Sequence, residues 1–132
     1  MRTRCEFLVL FLLLLPLSAA CRTWDDLEGD RDQAREKAGD EVSANIGRAS
    51  AIIAAIDAYE EMEGRLPQQL ATLVPTYLSD IPSTATGGSF TYERDDRFGQ
   101  GYYLCFDVSV TQHPGCCYHR RLMVWDCSGG CE

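Results

Sequence analysis

The chain has 132 residues and a formal net charge of −8, with 45% apolar and 24% charged residues. That composition is globular, excludes global disorder and collagen-like repetition, and leaves room for one domain. So acidic a chain repels phosphate backbones, which argues against nucleic acid as a partner.

The N-terminus carries Arg2 and Arg4, then an unbroken apolar run over residues 7–15, closed by Pro16 ahead of Leu17, Ser18, Ala19 and Ala20. A basic start, a short apolar run and a small-residue exit are the three parts of a secretory signal. The run is too short to cross a bilayer comfortably as a mature helix. Residues 1–20 are therefore expected to be a signal peptide, and without Arg2, Arg4 and Glu6 the remainder carries −9.

Residues 17–21 resemble a bacterial lipobox, in which small residues precede a cysteine that is acylated and becomes the new N-terminus. Ser18 stands where the lipobox has leucine, and Leu17 lies one place further back. The resemblance implies lipidation of Cys21 and a membrane partner through that anchor. Residues 18–20 also suit an ordinary signal peptidase, which would give a soluble periplasmic or secreted protein.

Export decides how the cysteines are read, because disulfides persist in oxidising compartments. Cys105, Cys116, Cys117, Cys127 and Cys131 lie downstream. With Cys21 acylated they allow two bridges and one thiol; with Cys21 unmodified they allow three bridges and fifteen pairings. Adjacent cysteines rarely bond each other, so Cys116 and Cys117 are expected to reach different partners. Cys127 and Cys131 are natural ones, and the tail is then pinned across a sheet by Cys116 or Cys117, with the pairing open.

Residues 21–41 hold eight acidic residues from Asp25 to Glu41, with Trp24 and Leu27 as their only large apolar ones. Such a stretch cannot bury enough surface to offset its ordering entropy and reads as an acidic tether. Residues 42–132 read as one folded domain. Val42, Ile46, Ala49, Ile52, Ile53, Ile56, Tyr59 and Met62 recur at three- and four-residue steps, which predicts a helix ending near Gly64. Residues 67–74 read as a short second helix between Pro67 and Pro75. Three strands follow, over residues 90–92, 102–108 and 118–125, with a polar turn over 93–101. The expected class is α+β: a long helix packed on a three-stranded antiparallel sheet, with a disulfide-rich tail.

The run AAIDAYEEMEGRLP over residues 54–67, then Leu70, Leu73, Pro75, Tyr77, Leu78, Ile81, Pro82, Gly87, Gly88, Phe90, Tyr92 and residues 101–104 (GYYL), resembles the headgroup of type IV pilins. It is most similar to the major pseudopilin of type II secretion systems, and the likeness covers about residues 42–108. It implies a helix ending in Tyr and a Gly-x-x-Pro turn, a Leu-rich segment, and a small antiparallel sheet. The start departs from that family: the short basic leader, the Gly-Phe-type processing site, the glutamate five residues on and the long apolar helix have no counterparts. The resemblance therefore implies a pilin-like head on an export or lipid signal and not a polymerising pilus subunit.

No serine lies in a nucleophile-elbow motif and the chain has two histidines, so no catalytic residue and no cofactor are assigned. His113, Cys116, Cys117, His119, Cys127 and Cys131 could ligate a metal, but their spacing is not the paired C-x-x-C of structural zinc, and disulfides compete for the thiols. The resemblance also implies calcium in a sheet-side loop; Glu93, Asp95 and Asp96 supply hard oxygens there without matching that loop residue by residue, and a solvated turn is the plainer reading. Tyr103, His119, Met123 and Trp125 are expected opposite the core face, either exposed as a docking patch or buried by the tail folding over them. The expected function is a non-enzymatic, exported, lipid-anchored envelope protein acting as an interaction or accessory component. The alternative is a soluble periplasmic metal-binding or redox protein using the Cys/His-rich tail.

Overall fold

A computed structural model describes residues 24–96, 101–109 and 115–128. The expected signal peptide, Cys21, His113 and Cys131 lie outside them. The order is helix α1 (Trp24–Glu63), a 3-10 turn (Leu70–Leu73), then strands β1 (Thr91–Asp95), β2 (Gly101–Phe106), β3 (Cys116–His119) and β4 (Val124–Asp126). The class is α+β, and the antiparallel sheet has four strands in the order β1-β2-β3-β4.

Helix α1 starts eighteen residues earlier than its apolar stripe. Residues 29–37 are exposed, Ala38 is the first described side chain to pack against the core, and Glu41 is buried. The stretch read as a tether is thus helical from Trp24. The burial argument applies to a segment folding alone. Once residues 42–59 are helical by packing, each further residue adds only a propagation step, with no new nucleus. Gln33, Ala34, Arg35, Glu36, Lys37 and Ala38 are good helix formers. The helix stops at Gly64, whose φ of 69° is left-handed and whose N–H donates to the Glu60 carbonyl at 2.8 Å.

Ala49, Ile52, Ala55, Ile56 and Tyr59 lie on one face of α1 and bury against Leu66, Leu73, Phe90, Tyr102, Leu104, Phe106 and Tyr118. The expected second helix is only the 3-10 turn. Pro67 is buried, and its carbonyl accepts from the Tyr92 hydroxyl at 3.0 Å. Too few residues remain before Pro75 for a helix.

In β2, Tyr102, Leu104 and Phe106 point to α1, and Tyr103 and Cys105 point away, as a period of two requires. Register carries the division across the sheet: Leu104 faces Tyr118, which faces Trp125, while Tyr103 faces His119, which faces Val124. The inner face is an aromatic row, with centroids 5.5 Å apart for Tyr92–Tyr102, 6.1 Å for Tyr102–Tyr118 and 5.4 Å for Tyr118–Trp125. Such pairs add about 0.5–1.5 kcal/mol each beyond burial.

The expected third strand is two strands. Leu122 and Met123 both donate backbone N–H groups to the His119 carbonyl, at 3.2 and 2.8 Å, and close a turn that reverses the chain. Trp125 therefore lies on the inner face, 5.5 Å from Phe106 and 5.4 Å from Tyr118, and not in the outer patch expected for it. The first strand also runs further than expected, through Glu93 and Asp95.

Two bridges hold the sheet: Cys105–Cys117 and Cys116–Cys127. Cys105 and Cys117 are opposite one another in the β2–β3 register, and Cys116 and Cys127 continue the β3–β4 register. Adjacent residues of a strand point to opposite faces, so Cys117 staples β3 to β2 on the outer face and Cys116 staples β3 to β4 on the inner one. Gly115 precedes them where the chain comes alongside the end of β2; a Cβ there would fall on the Phe106 carbonyl.

Candidate functional site

The sheet end at the β3–β4 turn gathers most of the sequence-predicted surface residues. Tyr103 and His119 are opposite in register and meet edge to face, centroids 4.8 Å apart. The Tyr103 hydroxyl donates to Asp95 Oδ2 at 3.3 Å, and Asp95 is buried. Asp95, Gly101, Tyr103, His119, Arg121 and Leu122 line a half-open cleft of about 340 Å³. His119 Nε2 is buried and has no hydrogen-bond partner among the described residues.

Beside the cleft stands an apolar tip. Leu122 is 67% exposed, Met123 70% and Val124 47%. Met123 was expected in an exposed patch; Leu122 and Val124 were not, because an uninterrupted strand would have alternated them. Met123 has φ 53°, the left-handed region that side chains with a Cβ rarely adopt. Its cost is roughly 1 kcal/mol, and strain of this kind clusters at functional sites. No glycine, asparagine or proline marks the turn in the sequence, so composition gave no signal for it.

Arg120 anchors the tip to α1. Its guanidinium lies 3.0 Å from Asp57 Oδ1 and 3.7 Å from Glu60 Oε2. Asp57 Oδ1 is itself shielded from solvent, and Arg120 sits against it outside hydrogen-bond geometry, as an ion pair alone. Burial tends to lower the Arg120 pKa, but Asp57, Tyr102 and Glu60 outweigh it and the net direction is upward. Tyr102 lies next to this pair with its hydroxyl lacking a hydrogen-bond partner among the described residues. Burial first, then the Asp57 carboxylate, pushes its pKa well above that of an ordinary phenol.

Of the six sulfur and imidazole groups that could have ligated a metal, Cys116, Cys117 and Cys127 are in disulfides. The residues considered for calcium do not converge either. Glu93 and Asp95 belong to β1, Asp95 is occupied by Tyr103, and Asp96 pairs with Arg94 at 2.9 Å. Among the described residues no group of three or more His, Cys, Asp or Glu could hold a metal ion. Nor is any described helix long and apolar enough to cross a membrane.

The tip thus combines exposed apolar side chains, an aromatic wall and a polar cleft. No family model, curated protein or solved structure matches the chain.

Proposed function

We propose that the protein is an exported, non-enzymatic component of the cell envelope, anchored by a lipid on Cys21, whose pilin-like head docks a protein partner through the β3–β4 tip. The observation that carries the reading is the exposed run Leu122, Met123 and Val124, held out on a strained backbone beside the Tyr103–His119 cleft. Exposed apolar residues grouped beside polar ones are what interface cores are made of.

Two further features support it. The paired disulfides favour an oxidising compartment. Arg120, at the base of the tip, contacts Asp57, which lies about 50 Å along α1 from Trp24 at 1.5 Å per residue. A helix standing upright from a lipid anchor holds the tip away from that membrane, toward a partner.

The docking reading is tested by a photo-crosslinking residue placed at Met123 in intact cells, with exposed Gln68 as the control position. A discrete adduct at 123, abolished by Leu122→Asp, is expected. No adduct there, or the same adducts from both positions, overturns it. Palmitate labelling that vanishes with Cys21→Ala tests the anchor; an unlabelled parent chain replaces it with the soluble form.

A further inference from the structure

We propose that the Cys116–Cys127 bridge is a redox latch, opened by a dithiol ahead of Cys105–Cys117, and that its opening releases β4 from the edge of the sheet. The proposal does not rest on the docking reading, since neither partner nor membrane enters it.

Accessibility sets the order. Cys127 is the one exposed residue of the two bridges, whereas its partner Cys116 is 1% exposed, Cys117 5% and Cys105 half-buried, so the Cys127 end is the more open to an incoming thiolate. Exchange rates follow access to the attacked sulfur. In the step, one thiolate of the dithiol attacks Cys127 Sγ, the sulfur–sulfur bond breaks, and Cys116 leaves as a thiolate and takes up a proton. The second thiolate of the reagent then attacks the mixed disulfide and frees Cys127, which is protonated in turn. The dithiol ends as a disulfide, and its two electrons have reduced the protein bridge.

What the latch holds is lightly held otherwise. Strand β4 has three residues, pairs among the described residues with β3 alone, and exposes Val124. Trp125 is its one described aromatic anchor, half-buried against Phe106 and Tyr118. Strands β2 and β3, by contrast, share four register positions and carry the buried residues Leu104, Phe106, Cys116 and Tyr118. Loss of β4 therefore leaves the rest of the sheet standing. It bares the unpaired edge of β3 and the rings under Trp125, a ready template for strand addition.

The test uses the full chain with graded dithiothreitol, iodoacetamide trapping and peptide mass mapping. Cys116 and Cys127 are expected to be alkylated at roughly tenfold lower reductant than Cys105 and Cys117. In a Trp24→Phe background, which leaves Trp125 as the one tryptophan, its emission should shift to the red over the same range. Cys127→Ser should give that shift without reductant while Cys105–Cys117 stays closed. Simultaneous or reversed opening of the two bridges overturns the proposal, as does unchanged Trp125 emission once Cys116 and Cys127 are alkylated. Should Cys127→Ser fail to fold, the titration of the native chain decides alone.

Discussion

Residues 29–40 and residues 42–59 belong to one continuous helix, yet different physics maintains them. The second stretch buries Ala49, Ile52, Ala55, Ile56 and Tyr59 against the sheet. The first is exposed along almost its whole length and holds its helix by propagation from the packed part. Three polar clamps sit at the junction and in the first turns of the second stretch. Glu41 accepts from the Ser109 backbone and hydroxyl at 3.0 and 2.6 Å, Asn45 Oδ1 accepts from the Ala85 N–H at 2.6 Å, and Arg48 donates to the Ser83 carbonyl at 3.2 Å. Positions 41, 45 and 48 are one turn apart and mark where the head ends and the arm begins.

The largest effect expected from this division is in the core. Leu104→Ala removes a fully buried side chain facing α1 and should cost about 2–5 kcal/mol, read as a lower midpoint in urea unfolding. Next is the sheet's outer staple. Cys105→Ser with Cys117→Ser should cost about 2–4 kcal/mol, as expected for a bridge closing a short loop. A loss under 1 kcal/mol would mean that β2–β3 pairing and the aromatic row suffice without it.

The sequence made the packed region legible and misread its margins, and the residues explain why. The stripe from Val42 to Tyr59 and the alternation in β2 follow periods of 3.6 and 2, which burial imposes directly. The β3–β4 turn was hidden because Arg120, Arg121, Leu122 and Met123 contain no turn former, and tertiary contacts (Arg120 on Asp57 and Glu60) hold the reversal instead. That error carried over into the candidate site: it put Trp125 on the wrong face and concealed Leu122 and Val124. Cysteine number and neighbours implied bridges from Cys116 and Cys117 to different partners; the actual pairs depend on register, which only the assembled sheet fixes.

The boundary itself can be probed at intermediate cost. Glu41→Ala leaves the Ser109 N–H without its carboxylate and should destabilise the head by about 1–3 kcal/mol. Glu41→Gln, which keeps an acceptor, should recover part of that. Smaller still is a pH effect within the head. Burial pushes the Tyr92 phenol up to about 12, and its hydroxyl donates to Pro67, which favours the neutral form. Between the unfolded value near 10 and the folded value the native state binds more protons, so stability is complete below about pH 10 and falls as pH rises through about 12. Tyr92→Phe should flatten that part of the stability–pH curve, and tyrosinate absorbance should show one late-titrating phenol fewer.

The smallest effect on head stability should come from the arm, which makes it the sharpest test of the division. Ala34→Gly lowers helix propensity by roughly 1 kcal/mol at an exposed position outside the described core. Because the arm only propagates the helix, that penalty should unwind residues N-terminal to 34 and reduce the far-ultraviolet helical signal. The unfolding midpoint of the head should stay where it is, since Glu41, Asn45 and the apolar stripe below them are untouched. Glycine at Ala55, which is buried, should by contrast move the midpoint itself. If Ala34→Gly shifted the midpoint by as much as Ala55→Gly, the two stretches would form one cooperative unit, and the arm would have to be counted as part of the head.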